Sequence, residues 1–332
     1  MTNVVHGGNL DEMIARHGGE RADWLDLSTG ISPFSYPLPE LPTDVWSALP
    51  DAKAEQRCEQ AARRTWEIQD RAKLVLAPGS QSLLQILPYL FVAQPVSIVG
   101  YTYQEHGVCW QRAGHEVYVT DGLESAEATA RIVVLVNPNN PDGATYAPEQ
   151  LEPLARRLGA KGGLLVVDEA FSDVAPELSL APLAGGNGLL VLKSLGKFYG
   201  LAGIRLGFGI SSNQLGERLA ARLGPWSVSG PALAIGAAAL GNRGWQTRTR
   251  GRLEKARQEM QDILAGAGFE ILGGTDLFVL ARHGEAQNIA LKLAEKRIHV
   301  RTFPAHNDWI RFGLVGRAPE RKRLVKALAD TI

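Results

Sequence analysis

Short apolar runs alternate with helix-like segments between residues 73 and 171. The runs KLVLAP, VSIVG, ARIVVLVNP and GLLVVDEAF contain almost no polar residues, which is typical of strands buried on both faces of a parallel sheet. The segments between them, such as SQSLLQILPYLF and PEQLEPLARRLGA, have helical composition. This alternation predicts an α/β fold with a mostly parallel sheet and helices on both of its faces.

A different pattern begins near Gly224. A helix of small residues, SGPALAIGAAALG, precedes a long polar helix, and short strands and helices then alternate to the end of the chain. This pattern predicts a smaller α+β domain built from the two chain ends. We therefore expect an N-terminal arm and part of the small domain in residues 1–50, a large domain in 51–224 and the small C-terminal domain in 225–332.

Charge and cysteine content exclude several classes of protein. Lys plus Arg and Asp plus Glu both number 35 in the 332 residues, so no excess of positive charge favours nucleic acid. No apolar run is long enough to span a membrane, and Met1 to Leu10 lack the pattern of a signal peptide. Cys58 and Cys109 have no metal-binding or redox spacing. We expect a cytoplasmic protein without a metal site.

The segment KSLGKFYGLAGIR, residues 193–205, carries the strongest chemical signal. A lysine in a glycine-rich, apolar loop after a strand can be desolvated, which frees its amine as a nucleophile; a single lysine is otherwise most often a surface residue. The segment closely resembles the Schiff-base lysine signature of the fold type I aminotransferases that depend on pyridoxal phosphate. The resemblance implies that Lys197 carries the cofactor and that Ser194 and Arg205 bind its phosphate.

An acidic residue ends the apolar run before Glu169. Ligands of open α/β sheets bind at the carboxyl ends of strands, where Asp168 is expected, although such a residue is often only a helix cap. By the resemblance, Asp168 pairs with the pyridine nitrogen and strengthens the cofactor as an electron sink. The family usually has tyrosine where this chain has Phe171, which removes one hydrogen bond to the cofactor.

Two further loops match the family. NPNNPDG at 137–143 is ordinary turn chemistry in isolation, but it resembles the family motif NPNNPTG, in which Asn140 would donate to the cofactor's O3′. PGSQS at 78–82 forms a strand-to-helix turn that can present N–H groups to an anion. The resemblance gives phosphate binding there to three residues: Gly79, Ser80 and Gln81.

An aromatic residue should stack on the cofactor ring. The segment GYTYQE offers Tyr103 for this role, and the neighbouring Tyr101 leaves the register open.

Two arginines near the C-terminus are candidates for substrate binding. Arg311 is flanked by apolar strand residues, and its planar fork suits a carboxylate; it occupies the family's substrate-carboxylate position. Arg301 lies on the preceding predicted strand. Two neighbouring arginines favour a doubly anionic substrate.

The opening HGGN at 6–9, followed by DLSTGISP at 26–33, resembles the threonine-phosphate decarboxylase branch of the family. That resemblance implies a carboxy-lyase that converts L-threonine O-3-phosphate to (R)-1-aminopropan-2-yl phosphate in cobalamin biosynthesis, and it makes His6 and Gly30 candidate substrate contacts. It also implies a homodimer. Many relatives have a tyrosine that reaches the partner's cofactor phosphate, where this chain has Leu49.

Two alternatives stay open. A histidinol-phosphate or related aminotransferase would use the same scaffold. A non-catalytic, aminotransferase-like subunit would explain Phe171 and Leu49 as losses, but such a subunit would have no need of Lys197, Asp168 and Arg205.

Overall fold

The computed structural model describes residues 7–332. These residues form two compact units. The first part of the chain contains α1 (Leu10–His17), β1 (Leu25–Asp26), α2 (Asp44–Ser47), α3 (Ala52–Thr65), β2 (Lys73–Ala77), α4 (Ser80–Ile86), β3 (Pro95–Val99), α5 (Glu105–Arg112), β4 (Glu116–Thr120), α6 (Leu123–Thr129), β5 (Ile132–Val136), α7 (Pro148–Ala160) and β6 (Leu164–Asp168). The second part contains β7 (Leu189–Ser194), β8 (Gly207–Ser211), α8 (Asn213–Leu223), α9 (Gly230–Gly241), α10 (Arg243–Gly266), β9 (Glu270–Thr275), β10 (Phe278–Arg282), α11 (Ala286–Glu295), β11 (Ile298–His299), β12 (Arg301–Phe303), β13 (His306–Gly313) and α12 (Ala318–Ala329).

The larger unit, residues 36–140 and 144–246, is built around a seven-stranded sheet. The strand order is β2-β8-β7-β6-β5-β3-β4, in which β8 runs antiparallel to both neighbours and the other pairs are parallel. The predicted α/β fold with a mostly parallel sheet and accompanying helices is therefore confirmed.

Burial explains the apolar runs. Every residue of β5 and β6 is buried, and the core beside them includes Leu83, Trp110 and Leu190. Fully burying one such aliphatic or aromatic side chain contributes about 1.5–3 kcal/mol. Strands buried on both faces have no polar side to show in the sequence, and this is why they read as continuous apolar runs.

One edge of this sheet collects most of the candidate residues. The carboxyl ends of β2, β5, β6 and β7 meet there, beside the amino end of β8. Cross-strand partners at this edge are Ala77 with Gly207, Ser194 with Gly207, and Val136 with Asp168. Neighbouring loops that leave these strands start one or two strand spacings apart, and the outermost two, after β2 and β5, start four spacings apart.

The smaller unit comprises the described residues up to Ser35, Pro141–Gly143 and Thr247–Ile332. Its antiparallel sheet has the order β12-β13-β10-β9, and a separate parallel pair joins β1 to β11. The predicted α+β character of this part agrees with these elements. No helix within residues 7–332 combines the length and the apolar character needed to cross a membrane.

The unit boundaries differ from the predicted ones. Residues 36–50, which we expected in the N-terminal arm or the small domain, and residues 225–246, which we expected in the small domain, belong to the larger unit. Helix α9 explains the difference, because Oη of Tyr36 donates to Ala238 O at 3.1 Å and Oγ1 of Thr65 donates to Leu240 O at 2.6 Å. A Cβ at Gly236 would lie only 2.3 Å from Leu206 Cδ2, so this small-residue helix packs closely within the larger unit.

Candidate active site

The turn after β2 brings three predicted phosphate-binding residues together. Gly79 has φ +80°, a left-handed conformation that favours glycine, and a Cβ there would lie 2.5 Å from Nη2 of Arg205. A Cβ at Gly207 would lie 2.1 Å from the backbone N of Ser80. Glycine at these two positions lets the turn, the start of α4 and the Arg205 side chain approach one another closely.

Arg205 itself has an uncommon backbone conformation. Its φ of 52° and ψ of 60° are left-handed, and its Nη1 donates to Ala202 O at 3.1 Å. A left-handed non-glycine residue costs about 1–2 kcal/mol, and such strain is concentrated at functional sites. Ser194, the cross-strand partner of Gly207, accepts the Gly196 N–H at 3.2 Å.

Lys197 lies in the loop after β7 and is half-buried. Its Nζ is 5.4 Å from the ring centre of Phe171, which is itself buried. The residue that departs from the family pattern therefore lies against the candidate nucleophile. An aromatic face attracts the charged form of an amine and contributes about 0.5–2 kcal/mol, depending on exposure.

Asp168, the last residue of β6, is buried and has two partners. Its Oδ1 accepts the Ala170 N–H at 3.0 Å, and its Oδ2 lies 3.0 Å from Nε2 of His106. His106 is only 2% exposed. The sequence analysis missed His106, and the available signal was its position three residues after Tyr103 at the start of α5.

Tyr103 belongs to the same group of side chains. Its Oη donates to Oε1 of Gln81 at 3.1 Å, and Nε2 of Gln81 donates to Oε2 of Glu105 at 3.1 Å. Burial, with the carboxylates of Glu105 and Asp168, raises the pKa of Tyr103, and Arg205 acts in the opposite direction. The hydrogen bond to Gln81 links Tyr103 to the predicted phosphate end of the cofactor site, and the Asp168 carboxylate at the other end acts on Tyr103 electrostatically. Glu105 is a second residue that the sequence analysis missed.

The Asn137–Gly143 loop is fixed by its first two asparagines, Asn137 and Asn139. The Asn137 side chain exchanges two hydrogen bonds of 2.9 Å with the Tyr146 backbone, and the Asn137 N–H donates to Asp168 O at 2.9 Å. Asn139 N–H donates to Ala144 O at 2.8 Å, and its Nδ2 donates to Tyr101 O at 3.0 Å. Asn140 follows, half-buried, in a loop tied to the strand that carries Asp168.

In the smaller unit, Arg301 and Arg311 are direct cross-strand partners on β12 and β13. Arg311 is buried, its Nη2 donates to Ser28 O at 2.7 Å, and its guanidinium lies 4.9 Å from the Phe278 ring centre. Burial, followed by repulsion from Arg301, lowers the pKa of Arg311 to about 9, while Asp26 opposes this. Like charges on opposed strand residues repel, so this pair suits a ligand that brings negative charge.

Ser28 connects Arg311 to the segment that opens the chain. Its Oγ donates to Oδ1 of Asp26 at 2.6 Å and accepts the Gly8 N–H at 2.7 Å. A Cβ at Gly7 would lie 2.5 Å from Ser28 O, and Gly8 has a left-handed φ of +82°, so both positions favour glycine. The sequence analysis quoted this segment without assigning a role to Ser28.

The remaining two substrate candidates are placed differently. Gly30 is buried, two residues beyond Ser28. His6 lies outside the described residues.

The residues of the larger unit fit pyridoxal phosphate. A phosphate requires N–H donors and a cation, and Gly79, Ser80 and Arg205 meet where any side chain at Gly79 would intrude. A pyridine nitrogen requires an anion, and an aldehyde requires an amine. Asp168 at the end of β6 has a carboxylate of this kind, and Lys197, in the loop after the adjacent strand β7, has an amine of this kind. The fold and this donor set define a pyridoxal-phosphate-dependent enzyme of fold type I.

The chain belongs to the aminotransferase class I and II family, whose model matches residues 23–328. It is 42% identical over 328 residues to a threonine-phosphate decarboxylase from Sinorhizobium sp, with 98% of both chains covered. It is 38% identical over 281 residues to the threonine-phosphate decarboxylase of Pseudomonas aeruginosa, covering 83% of this chain and 82% of the relative.

A solved structure shares the fold. The histidinol-phosphate aminotransferase of Sinorhizobium meliloti, in complex with pyridoxal-5'-phosphate, has a TM-score of 0.83 at 22% identity, covering 99% of this chain and 95% of the solved chain.

Proposed function

We propose that this chain decarboxylates L-threonine O-3-phosphate to (R)-1-aminopropan-2-yl phosphate and CO2, with pyridoxal phosphate as cofactor. The observation that carries the proposal is the 42% identity to a threonine-phosphate decarboxylase along 98% of both chains. The geometry of the larger unit supports cofactor chemistry of this kind, and the paired arginines of the smaller unit support a substrate with two anionic groups.

The cofactor residues have distinct roles in this proposal. The Ser80 N–H, the Ser194 hydroxyl and Arg205 bind the phosphate, and Asp168 holds negative charge at the pyridine nitrogen. Bound pyridoxal phosphate supplies the electron sink that allows a bond at the substrate Cα to break. Gln81 and Tyr103, joined by a hydrogen bond of 3.1 Å, form one side of the cofactor site.

Lys197 performs the proton chemistry. Its amine would hold the cofactor through the carbonyl carbon. Once released, the lysine in its protonated form would give a proton to the substrate Cα after CO2 has left, so one residue would serve as anchor and as acid. The buried Phe171 ring, 5.4 Å from Nζ, limits water on one side of this amine.

Arg311 and Arg301 divide the substrate's charges. We assign the carboxylate to Arg311, whose burial makes a charge-assisted pair strong, and the phosphate to Arg301. The position of the carboxylate would set which bond at the substrate Cα the cofactor activates. Where the carboxylate is held therefore decides between decarboxylation and amino transfer.

The same proposal includes a homodimer in the cytoplasm, where the two buried free cysteines remain reduced. Three large apolar side chains within residues 36–50, Leu38, Trp46 and Leu49, are 65%, 67% and 67% exposed. Exposed apolar patches are typical of protein–protein contacts, and we expect these three side chains to contribute to one. Analytical ultracentrifugation of the wild type and of a Trp46→Glu variant tests the dimer, and we expect the variant to be shifted toward monomer.

Incubation with L-threonine O-3-phosphate tests the activity. We expect CO2 release that depends on added pyridoxal phosphate and is lost in Lys197→Ala but kept in Lys73→Ala, a surface lysine paired with Glu217. Transfer of the amino group of histidinol phosphate or threonine phosphate to 2-oxoglutarate, without CO2 release, would instead favour the aminotransferase alternative. A purified chain that binds no cofactor would favour the non-catalytic alternative.

A further inference from the structure

A buried ion pair joins the ends of β6 and β7. Nζ of Lys193 lies 2.8 Å from Oε2 of Glu169, and the two side chains are 1% and 0% exposed. Neither residue was assigned a role by the motifs, although each is adjacent in sequence to one that was. Glu169 follows Asp168, and Lys193 precedes Ser194.

The surroundings of Glu169 satisfy both of its oxygens. The Leu180 N–H donates to Oε1 at 2.6 Å, and the Ser179 hydroxyl donates to Oε2 at 2.5 Å. A buried carboxylate is tolerated when its charge is paired and its lone pairs accept hydrogen bonds. Glu169 therefore has a single well-defined position.

Lys193 is held just as closely. Its Nζ donates to Oγ of Ser172 at 2.5 Å and lies 5.4 Å from the ring centre of Trp66. Nε1 of Trp66 in turn donates to Oδ1 of Asp173 at 2.7 Å. The network thus extends from β7 to the loop after β6 and to the end of α3.

The position of the ion pair relative to the strands lets it influence the geometry of the candidate site. The Glu169 N–H donates to Leu192 O at 2.9 Å, which continues the β6–β7 ladder beyond Asp168. Successive side chains along a strand point to opposite faces. The pair therefore lies on the face opposite to Asp168 and Ser194 and fixes the spacing of the strand ends that carry them.

Stability alone gives little reason for such a pair. Taking two charges out of water costs several kcal/mol per ion, and apolar replacements of buried pairs are often neutral or stabilising. An ion pair that fixes geometry contributes to function rather than to stability, because displacing a binding group by about 1 Å can weaken function considerably.

We propose that Lys193 and Glu169 are positioning residues for the cofactor. Their ion pair sets the separation of the ends of β6 and β7. It thereby sets the distance between the group that binds the pyridine nitrogen and the group that binds the phosphate. This inference rests on the proposed cofactor binding. The pair touches neither cofactor nor substrate in this proposal.

The test is a titration of cofactor-free protein with pyridoxal phosphate, followed by the visible absorbance and visible circular dichroism of the bound cofactor. The main variant is the neutral, nearly isosteric double substitution Glu169→Gln and Lys193→Met, which leaves no lone buried charge. We expect its melting temperature without cofactor to stay within a few degrees of wild type while its Kd for pyridoxal phosphate rises at least tenfold. The circular dichroism of the bound cofactor should also change, because that signal depends on how the ring is held.

The matched control is a half-buried ion pair of the smaller unit, in which Nε of Arg257 lies 2.6 Å from Oδ1 of Asp276. The double variant Arg257→Met and Asp276→Asn should bind pyridoxal phosphate as wild type does. Lys193→Arg is a second test, since it keeps the charge but changes the length and shape of the donor; we expect a folded protein with a Kd raised several-fold.

A folded Glu169→Gln and Lys193→Met variant with wild-type affinity and circular dichroism would overturn the positioning role and leave the proposed function intact. Should that variant fail to fold, wild-type affinity in Lys193→Arg would overturn it instead. A wild-type chain that binds no pyridoxal phosphate would overturn the proposed function, and this inference with it.

Discussion

Nε2 of His106 lies 3.0 Å from Oδ2 of Asp168, with both side chains buried. The second oxygen of Asp168 accepts the Ala170 N–H, so the two contacts together fix the plane of the carboxylate. The ring of Tyr103 meets the His106 ring edge-on, with centroids 6.1 Å apart. His106, near the start of α5, therefore connects the carboxylate at the end of β6 to the ring of Tyr103.

Replacing His106 with Phe should weaken cofactor binding while keeping an aromatic ring beside Tyr103. A hydrogen bond to a charged group is worth about 1.5–3 kcal/mol, so we expect the Kd for pyridoxal phosphate to rise roughly ten- to a hundredfold. His115 provides the control, because it is also buried and its Nε2 lies 3.0 Å from Pro88 O. His115→Phe should lower the melting temperature without changing the Kd measured in absorbance titrations. Equal affinities of wild type, His106→Phe and His115→Phe for pyridoxal phosphate would contradict the role given to His106.

Asp168→Asn should slow turnover without unfolding the protein. Asn is nearly isosteric and retains an oxygen for the Ala170 N–H, but it lacks the charge proposed to pair with the pyridine nitrogen. We expect kcat to fall by more than about tenfold, equivalent to ~1.4 kcal/mol of barrier, with an unchanged far-ultraviolet circular dichroism spectrum. A smaller loss in steady-state assays would show that the charge of Asp168 has no part in the electron sink.

Arg301→Ala and Arg311→Ala should have different effects on two substrates. Loss of one charge-assisted partner costs about 1.5–3 kcal/mol. Arg301→Ala should therefore reduce the preference for threonine phosphate over threonine by roughly ten- to a hundredfold, and Arg311→Ala should lower kcat/KM for both substrates alike. Arg301→Lys, which keeps a point charge, should retain part of the preference. If Arg301→Ala leaves the preference as it is, another residue binds the phosphate.

His299 should make the smaller unit less stable at mildly acidic pH. Burial lowers the pKa of His299 from its ordinary 6.5, with Arg301 adding to this effect and Asp26 opposing it. Below about pH 6.5 the unfolded chain takes up a proton that the folded chain does not, so the free energy of unfolding decreases as the pH falls. Urea denaturation at about pH 7.5 and about pH 5.5 measures the difference.

His299→Gln removes the titrating group, and Arg301→Met removes one cause of its lowered pKa. Both variants should therefore lose less stability between the two pH values than wild type does. An identical loss in all three proteins would assign the acid sensitivity to other groups.

The residues that follow buried strands could be predicted from the sequence, since an apolar run that ends in a polar residue marks a position at the edge of a sheet. Asp168 is the last residue of β6, and Gly79 follows β2 by two residues, so their location at one edge needed only the strand pattern and the direction of the strands. Lys197 and Arg205 were proposed because residues 193–205 resemble the lysine signature of the family.

Contacts between distant segments could not be predicted in this way. The His106–Asp168 pair depends on how α5 packs beside β6, and 62 positions separate the two residues. The contact between Arg311 and Ser28 spans 283 positions and uses a backbone carbonyl, which leaves no trace in residue type. Helix α9 was assigned to the wrong side of a boundary because its all-apolar, small-residue sequence has no polar face to indicate what it packs against.

The parallel pair of β1 and β11 has a consequence for synthesis of the chain. Leu25 is the cross-strand partner of Ile298, so the two leave the ribosome about 270 residues apart, a delay of roughly 15–55 s at ~5–20 residues/s. During that interval Trp24 and Leu25, buried in the finished protein, have no partner strand to cover them. We expect nascent chains to expose this segment to chaperones until translation has passed residue 298, and any premature stop before that point to leave it exposed for good.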